Sequence, residues 1–455
     1  MRKSISRYLT TIAGGLALLA SSAPASWAQS PSNEPTTAFW QQIGDSTLTR
    51  LVAEALRNGT SVHIAEARLD EARAARTLSM FDLAPTVTAN GSALRTRQSM
   101  AQVPGLASPL PQRDLYDVGF DAAWELDLFG RVRHSVGAQD ALATSAEHSL
   151  EDVQVSLSAE VGRTYFELRG AQQQLAVALR NADVQRKTVA LTESRLAAGR
   201  GTAFDVERAR SVLQLTLAGV PTLEAQISAS WYRLASLLGR GDQTIPAELL
   251  AGGASPDLPD SVNVGSADQL VRHRPDVLAA ERQAAAQSMS VGAAKADYMP
   301  RVALAASTGY TADRIESLTR TGTSRVMVGP VVSFPLFDLG RVRQRVGFAE
   351  ARRDEANAQY AATVLQAVEE TERTKVAYAR AHERLALLEE AVKSSANASA
   401  LAQERFEAGL TDFLQVLDAQ RTQLEAESQL ASAQTAASTA LVALYKATGG
   451  TLTIR

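Results

Sequence analysis

Cysteine is absent from the 455 residues. That removes disulfides, thiolate metal sites, a catalytic thiol and an acylated N-terminal Cys together, although it does not place the chain in a reducing compartment. Aromatic residues make up only 5%, and the formal net charge is -3. A balance so near neutral offers no basic face for nucleic acid. No stretch holds the ~20 apolar residues of a membrane-spanning helix, so a chain of this kind crosses a membrane, if at all, with strands. Hydrophobic residues make up 45%, enough to build cores over a length that suits about three ordinary domains.

The first thirty residues have a basic start (Arg2, Lys3, Arg7), a short apolar stretch from Ile12 to Ala20, and small residues at Ser26 and Ala28. This is the three-part pattern of a secretory signal peptide. Residues 1-28 are therefore expected to be removed, and the mature chain to be exported.

A repeat organises the rest of the chain. Gly130-Arg131-Val132-Arg133 recurs as Gly340-Arg341-Val342-Arg343, and the same shift carries Glu160, Arg163 and Thr164 onto Glu370, Arg373 and Thr374. It also carries Arg195, Ala198, Gly199 and Val206 onto Arg405, Ala408, Gly409 and Val416. Upstream the shift is five residues larger, so that Ala65, Glu66, Asp82 and Pro85 fall on Ala280, Glu281, Asp297 and Pro300. The chain reads as an internal duplication, with repeats at 29-239 and 267-448, a connector at 240-266 rich in Gly, Pro, Asp and Ser, and a tail at 449-455. Each repeat opens with an Ala-rich helical stretch (about 46-81 and 267-298). Two strand-like segments come next (about 85-97 and 115-128; about 300-312 and 325-336), then a very long helical region.

Segment 115-128 is the most informative. Tyr116, Val118, Phe120, Ala122, Trp124, Leu126 and Leu128 occupy one parity, while Asp117, Asp121, Glu125 and Asp127 occupy the other. The second repeat sets Val326, Val328, Val332, Phe334 and Leu336 against Arg325, Gly329 and Ser333. A period of two places one set on each face of a strand. Alternation alone is a weak signal: for an isolated strand it favours an amphipathic sheet packed on helices, and it also suits the strands of a transmembrane barrel. Export, duplication and the length of the helices favour the barrel. Four strands cannot close one, because the smallest bacterial barrels need about eight and lipid does not tolerate open edges. Several chains must pool their strands, and three would supply twelve.

From Gly130 to Gly199 there is no Pro, nor from Gly340 to Gly409. A continuous helix over either stretch would span roughly 100 Å. The return segments, about 204-238 and 412-447, are also Ala-, Leu- and Gln-rich, which suggests coiled-coil hairpins with tips at 199-202 and 409-412. Separate shorter helices or a filamentous coil are the alternatives. The five His show no metal spacing, and neither a GxSxG nor a phosphate-binding loop occurs, so no constellation supports an enzyme, a metal or a cofactor. Asp418 and Arg421, one turn apart past the second tip, make either an ordinary helical pair or, in a symmetric oligomer, a ring of charge around a pore.

Taken in order, several motifs resemble those of the TolC/OprM-type outer-membrane efflux channels serving resistance-nodulation-division pumps (NodT-type). They are Trp124-Glu125-Leu126-Asp127-Leu128-Phe129-Gly130-Arg131, Arg274-Pro275-Asp276, Pro335-Leu336-Phe337 before Gly340-Arg341, and Arg405-Phe406-Glu407-Ala408-Gly409 running into Leu417-Asp418-Ala419-Gln420-Arg421. The resemblance covers about 38-448. It implies a mainly α fold with a small β part: a homotrimer whose twelve-stranded barrel sits in the outer membrane above an α-helical periplasmic tunnel. It further implies a periplasmic adaptor and an inner-membrane pump as partners. Leu414, Asp418 and Arg421 would form the periplasmic gate. Gly199, Arg200, Gly201, Thr202, Gly409, Leu410 and Thr411 would meet the adaptor, while Asp117, Asp121 and Glu125 would line the barrel with acid. Many such relatives carry a lipidated N-terminal Cys, and this chain has none. An exit duct for an ATP-driven protein exporter and a non-conducting periplasmic coiled coil remain the rival functions.

Overall fold

The computed structural model describes residues 34–97, 111–242, 244–246, 249, 259, 262–263 and 272–454. The expected signal peptide and most of the 240-266 connector lie outside these residues. Three helices come first, α1 (Glu34–Gln42), α2 (Ser46–Asn58) and α3 (Thr60–Phe81), then strands β1 (Thr86–Thr96) and β2 (Arg113–Leu126). A 67-residue helix α4 (Arg131–Ala197) turns into α5 (Ala203–Leu237). After the short strand β3 (Val262–Asn263), the order recurs as α6 (Pro275–Ala296), β4 (Arg301–Ala312), β5 (Ser324–Ser333), the 69-residue α7 (Leu339–Glu407) and α8 (Phe413–Ala447). A final strand, β6 (Thr453–Ile454), pairs with β3.

Two details of the helices depart from the sequence reading. The helical stretch 46-81 is broken at Gly59, whose backbone is extended and whose N–H turns back to the Ala55 carbonyl. The break brings Gly59 against the Leu237 carbonyl at the end of α5, so α3 and α5 meet end to end along α4. Helix α1 has no counterpart in the expected pattern. It is held by burial: Phe39 stacks on Tyr445 at 4.4 Å, and the Trp40 ring lies 5.0 Å from the same residue.

The long helices stand in a row. The stacked pair α3 and α5 lies along one side of α4, the pair α6 and α8 along its other side, and α7 lies beyond α6 and α8. The main core sits where the stacked helices meet, around Trp40, Leu48, Leu51, Tyr165, Phe166, Trp231, Leu234, Leu441 and Tyr445. A buried arginine ties the junction. Arg274, from the Arg-Pro-Asp motif, donates to the last-turn carbonyl of Ala447 at 2.8 Å, to Asp276 at 2.8 and 3.0 Å, and to Glu370 at 2.9 Å. Burial opposes its charge, yet the two carboxylates outweigh it and hold the guanidinium above its ordinary pKa. A pair this deep is costly to halve, about 3–5 kcal/mol.

The four longer strands form one antiparallel sheet in the order β1-β2-β4-β5. β5 ends at Ser333, opposite Arg301 at the start of β4. Phe334 and Leu336, expected within it, lie past the point where β4 can pair.

Candidate functional site: an uncovered apolar sheet face, a polar reverse face and paired helical tips

Register decides which side chains share a face of the sheet. Ala89 lies opposite Phe120, Phe120 opposite Thr308 and Thr308 opposite Val326. Val87, Val118, Trp124, Leu304, Val328 and Val332 fall on the same side. This apolar face is open: Val118 is 45% exposed, Phe120 50%, Val326 78% and Val328 70%. No helix makes an extended contact with the sheet among the described residues, so the packed amphipathic sheet is excluded. Trp124 marks the helix-side end of this face. Its ring is exposed while its indole N–H donates to the Leu83 carbonyl at 2.9 Å, the half-wet setting that suits Trp at a membrane boundary. Among the described residues no helix is long and apolar enough to cross a membrane, and the outer edges of β1 and β5 have no strand partner.

The opposite face is polar and cross-linked. Arg325 reaches across β4 to Asp117 on β2, donating at 2.8 and 3.1 Å, and also donates to Ser307. Thr311 adds a bond to the same carboxylate at 2.6 Å. The path is open because Gly309 lies opposite Arg325 and Gly119 opposite Gly309; a Cβ on Gly119 would come 2.5 Å from the Thr308 carbonyl oxygen. Asn90 donates its amide to Asp121. Glu125 accepts a two-pronged contact from Arg131 at 2.7 and 2.8 Å, while Asp127 caps the start of α4 through the Val132 and Arg133 amides. The three acids expected to line the barrel share this polar face, where Asp117 and Glu125 are countered by arginines, while Asp121 accepts the Asn90 amide and lies within electrostatic reach of Arg325.

At the other end of the helices the two hairpin tips are built alike. Gly199 and Gly409 take φ of +67° and +73°, the left-handed turn that only Gly adopts freely. Arg200 N–H reaches back to the Arg195 carbonyl at 2.9 Å, and Leu410 N–H to the Arg405 carbonyl at 2.8 Å. Thr202 and Asp205 form a reciprocal capping box at the start of α5, while Asp412 caps α8 through Gln415 N–H. Thr411 bonds the Gln415 side chain. Gly201 completes the first turn beside a cleft that Arg195, Arg200, Asp205, Phe406 and Asp412 also line, and Thr202 follows as the cap of α5.

The tips are locked to each other by residues to which the sequence alone assigns no role. The Arg195 guanidinium lies 3.7 Å from the centre of the Phe406 ring and donates to the Phe406 carbonyl at 3.1 Å. Phe406 packs on Phe413, with Val416, Leu417 and Ala209 around them. A stacked cation of this kind contributes about 1 kcal/mol. Burial of Phe413, Val416 and Leu417 turns the opposite face of α8 outward, and that face carries Leu414, Asp418 and Arg421, all exposed. Among the described residues no ion pair joins Asp418 to Arg421. The ordinary helical pair is not formed here, and both side chains are open to solvent in the single chain.

Comparison with known proteins agrees with this layout. The family model described as outer membrane efflux protein matches residues 51–240 and 267–450. The chain is 32% identical over 418 residues to outer membrane protein OprJ of Pseudomonas aeruginosa, covering 91% of this chain and 86% of that protein. It is 30% identical over 414 residues to the solvent efflux pump outer membrane protein SrpC of Pseudomonas putida, covering 89% and 86%. Among solved structures, the outer-membrane channel OprN superposes with a TM-score of 0.86 at 39% identity, over 91% of this chain and 92% of that one. VceC of Vibrio cholerae gives 0.82 at 28% identity, over 90% and 98%. An exposed apolar sheet, a polar reverse face and twin helical hairpins thus accompany a match over most of the chain: the chain belongs to the outer membrane efflux protein family.

Proposed function

We propose that the chain is the outer-membrane exit duct of a tripartite efflux system, a passive conduit through which small toxic molecules leave the cell. The observation that carries this reading is the sheet, apolar and uncovered on one face, polar on the other, with two open strand edges. Lipid covers the first face, water fills the second, and sister subunits close the edges. Three copies give twelve strands, and their long helices continue the bore into the periplasm. The energy comes from an inner-membrane pump, linked by a periplasmic adaptor that meets the tips at Gly199, Arg200, Gly201, Thr202, Gly409, Leu410 and Thr411. Relatives named for solvent and antibiotic efflux support small-molecule cargo over a protein substrate.

Leu414, Asp418 and Arg421 form the gate in this reading. Three copies bring three sets of these exposed side chains towards one axis, where a ring of charge controls ion passage. Deletion of the chain is expected to raise drug and solvent susceptibility, with full restoration by the plasmid-borne wild type. Unchanged susceptibility, with loss of a secreted protein instead, would favour the exporter duct.

A further inference from the structure

The two Gly-Arg-Val-Arg motifs both stand where the sheet joins a long helix, yet their surroundings differ. In the first, Arg131 is held by Glu125 at 2.7 Å and Arg133 by Asp127 at 3.1 Å. The shift that carries Gly130 onto Gly340 carries those two acids onto Pro335 and Phe337. The second pair of arginines has therefore lost both acceptors. Arg341 finds a substitute in Asp338 at 3.3 Å. Arg343 finds none: it is exposed, and among the described residues it makes no ion pair and no side-chain hydrogen bond. The first amides of α7 are not left over, since those of Arg341 and Val342 turn to the Asp338 carbonyl. The unmet demand is in the guanidinium alone.

The residue that replaces the acid points the same way. Phe337 is 100% exposed, and Phe334 and Leu336 before it are 43% and 57% exposed. They extend the uncovered apolar face past the row of Trp124, Leu304 and Pro330 and past Ser333, where pairing with β4 stops. Arg343 follows in the first turns of α7. Residues two apart on a helix lie about 200° apart around its axis. Arg131 reaches the polar face through Glu125, so Arg133, and with it Arg343, falls on the apolar side. Arg133 is 67% exposed although α4 has helices along both flanks, so this side of the row stays open.

We propose that Arg343 binds the phosphate of an anionic phospholipid whose acyl chains lie over Phe337 and the apolar face of the sheet. This rests on the reading that lipid covers that face, and it adds a headgroup site at the helix-side border. A phosphate makes the same charge-assisted bonds to a guanidinium as the carboxylate of the first motif. An aromatic ring suits the level where acyl chains meet headgroups. A free anion would satisfy Arg343 and leave Phe337 in water; a lipid satisfies both.

Native mass spectrometry of the purified full-length protein in detergent tests this, with phosphatidylglycerol and phosphatidylcholine titrated separately. The same spectra report whether each variant assembles. Wild type is expected to hold phosphatidylglycerol about fivefold more tightly than Arg343→Gln does, the contribution of one arginine at an anionic surface. Phe337→Asp, which restores the acid of the first motif, should lose as much. Arg133→Gln, whose arginine already has Asp127, should match wild type, and phosphatidylcholine should bind more weakly throughout. Equal retention of phosphatidylglycerol by wild type and by both Arg343→Gln and Phe337→Asp would overturn the site while the lipid-covered sheet stands. Displacement of the lipid by inorganic phosphate would overturn it too, because the acyl chains would then contribute nothing. Protein that holds neither lipid would overturn the lipid-covered sheet and the site with it.

Discussion

Asp117 and Arg325 lie 208 residues apart in the chain, yet their bond bears directly on the charge of the sheet's polar face, the proposed wall of the bore. Three acids on one strand face suggest a cation-selective wall; with Arg325 on Asp117 and Arg131 on Glu125, much of that field is cancelled. Asp121 has an amide donor in Asn90 and shares the field of Arg325 with Asp117. Asp121→Asn is therefore expected to lower cation preference, read as a reversal potential moving towards zero under a salt gradient. Asp117→Asn removes the same single charge and should shift the potential comparably, while Arg325→Gln should shift it the other way; an unmoved potential in Arg325→Gln would mean that Arg325 does not offset the acids of this face. Another single residue governs acid behaviour near the middle of the helices. Burial raises the Asp152 carboxyl above its ordinary 3.8, and the nearby Asp276 and Glu370 add to this while Lys446 and Arg274 oppose it. Between 3.8 and the raised value the folded chain holds a proton that the unfolded chain has released, so stability falls as pH rises through that window. The cost persists at neutral pH. Asp152→Asn should raise the thermal midpoint at pH 7, measured by circular dichroism in detergent, and weaken its dependence on acid; a lower midpoint would contradict this.

At the scale of elements, the period of two along β2 and β5 announces both faces of the sheet, and Gly199 and Gly409 announce the tips. These signals are local: side chains alternate along a strand whatever it pairs with, and a left-handed turn selects Gly on its own. The break at Gly59, the docking of α1 and the lock of Arg195 on Phe406 are not legible in the sequence, because each depends on a group far away in the chain. A partial signal exists for Arg325, which shares the polar parity with Asp117 in a matching strand. The same distance dependence applies to Gly309, which reads as an ordinary strand glycine until Arg325 is seen crossing it. Gly309→Val puts a branched side chain beneath that crossing and against the β2 backbone. It is expected to cut the yield of heat-resistant trimer several-fold on semi-native gels, as overpacking of about 1–3 kcal/mol per copy would do. Gly329→Val on the same face, where a Cβ meets open space, should be tolerated. Equal tolerance at both positions would refute the crossing argument.

For the whole molecule, an uncovered apolar sheet at one end and a pair of charged, uncovered gate positions at the other make sense together only around a shared axis. One chain satisfies neither end. The proposed gate comes from likeness to a family, and the structure adds why its residues are available: the tip core draws Phe413, Val416 and Leu417 inward and leaves Asp418 and Arg421 facing out. Purified protein added to planar lipid bilayers tests both ends in one recording. The wild type should produce discrete, uniform current steps, and Asp418→Ala/Arg421→Ala should produce larger ones. Bilayers that remain as insulating as bare lipid, with trimeric wild type and variant alike, would contradict a water-filled passage through this assembly.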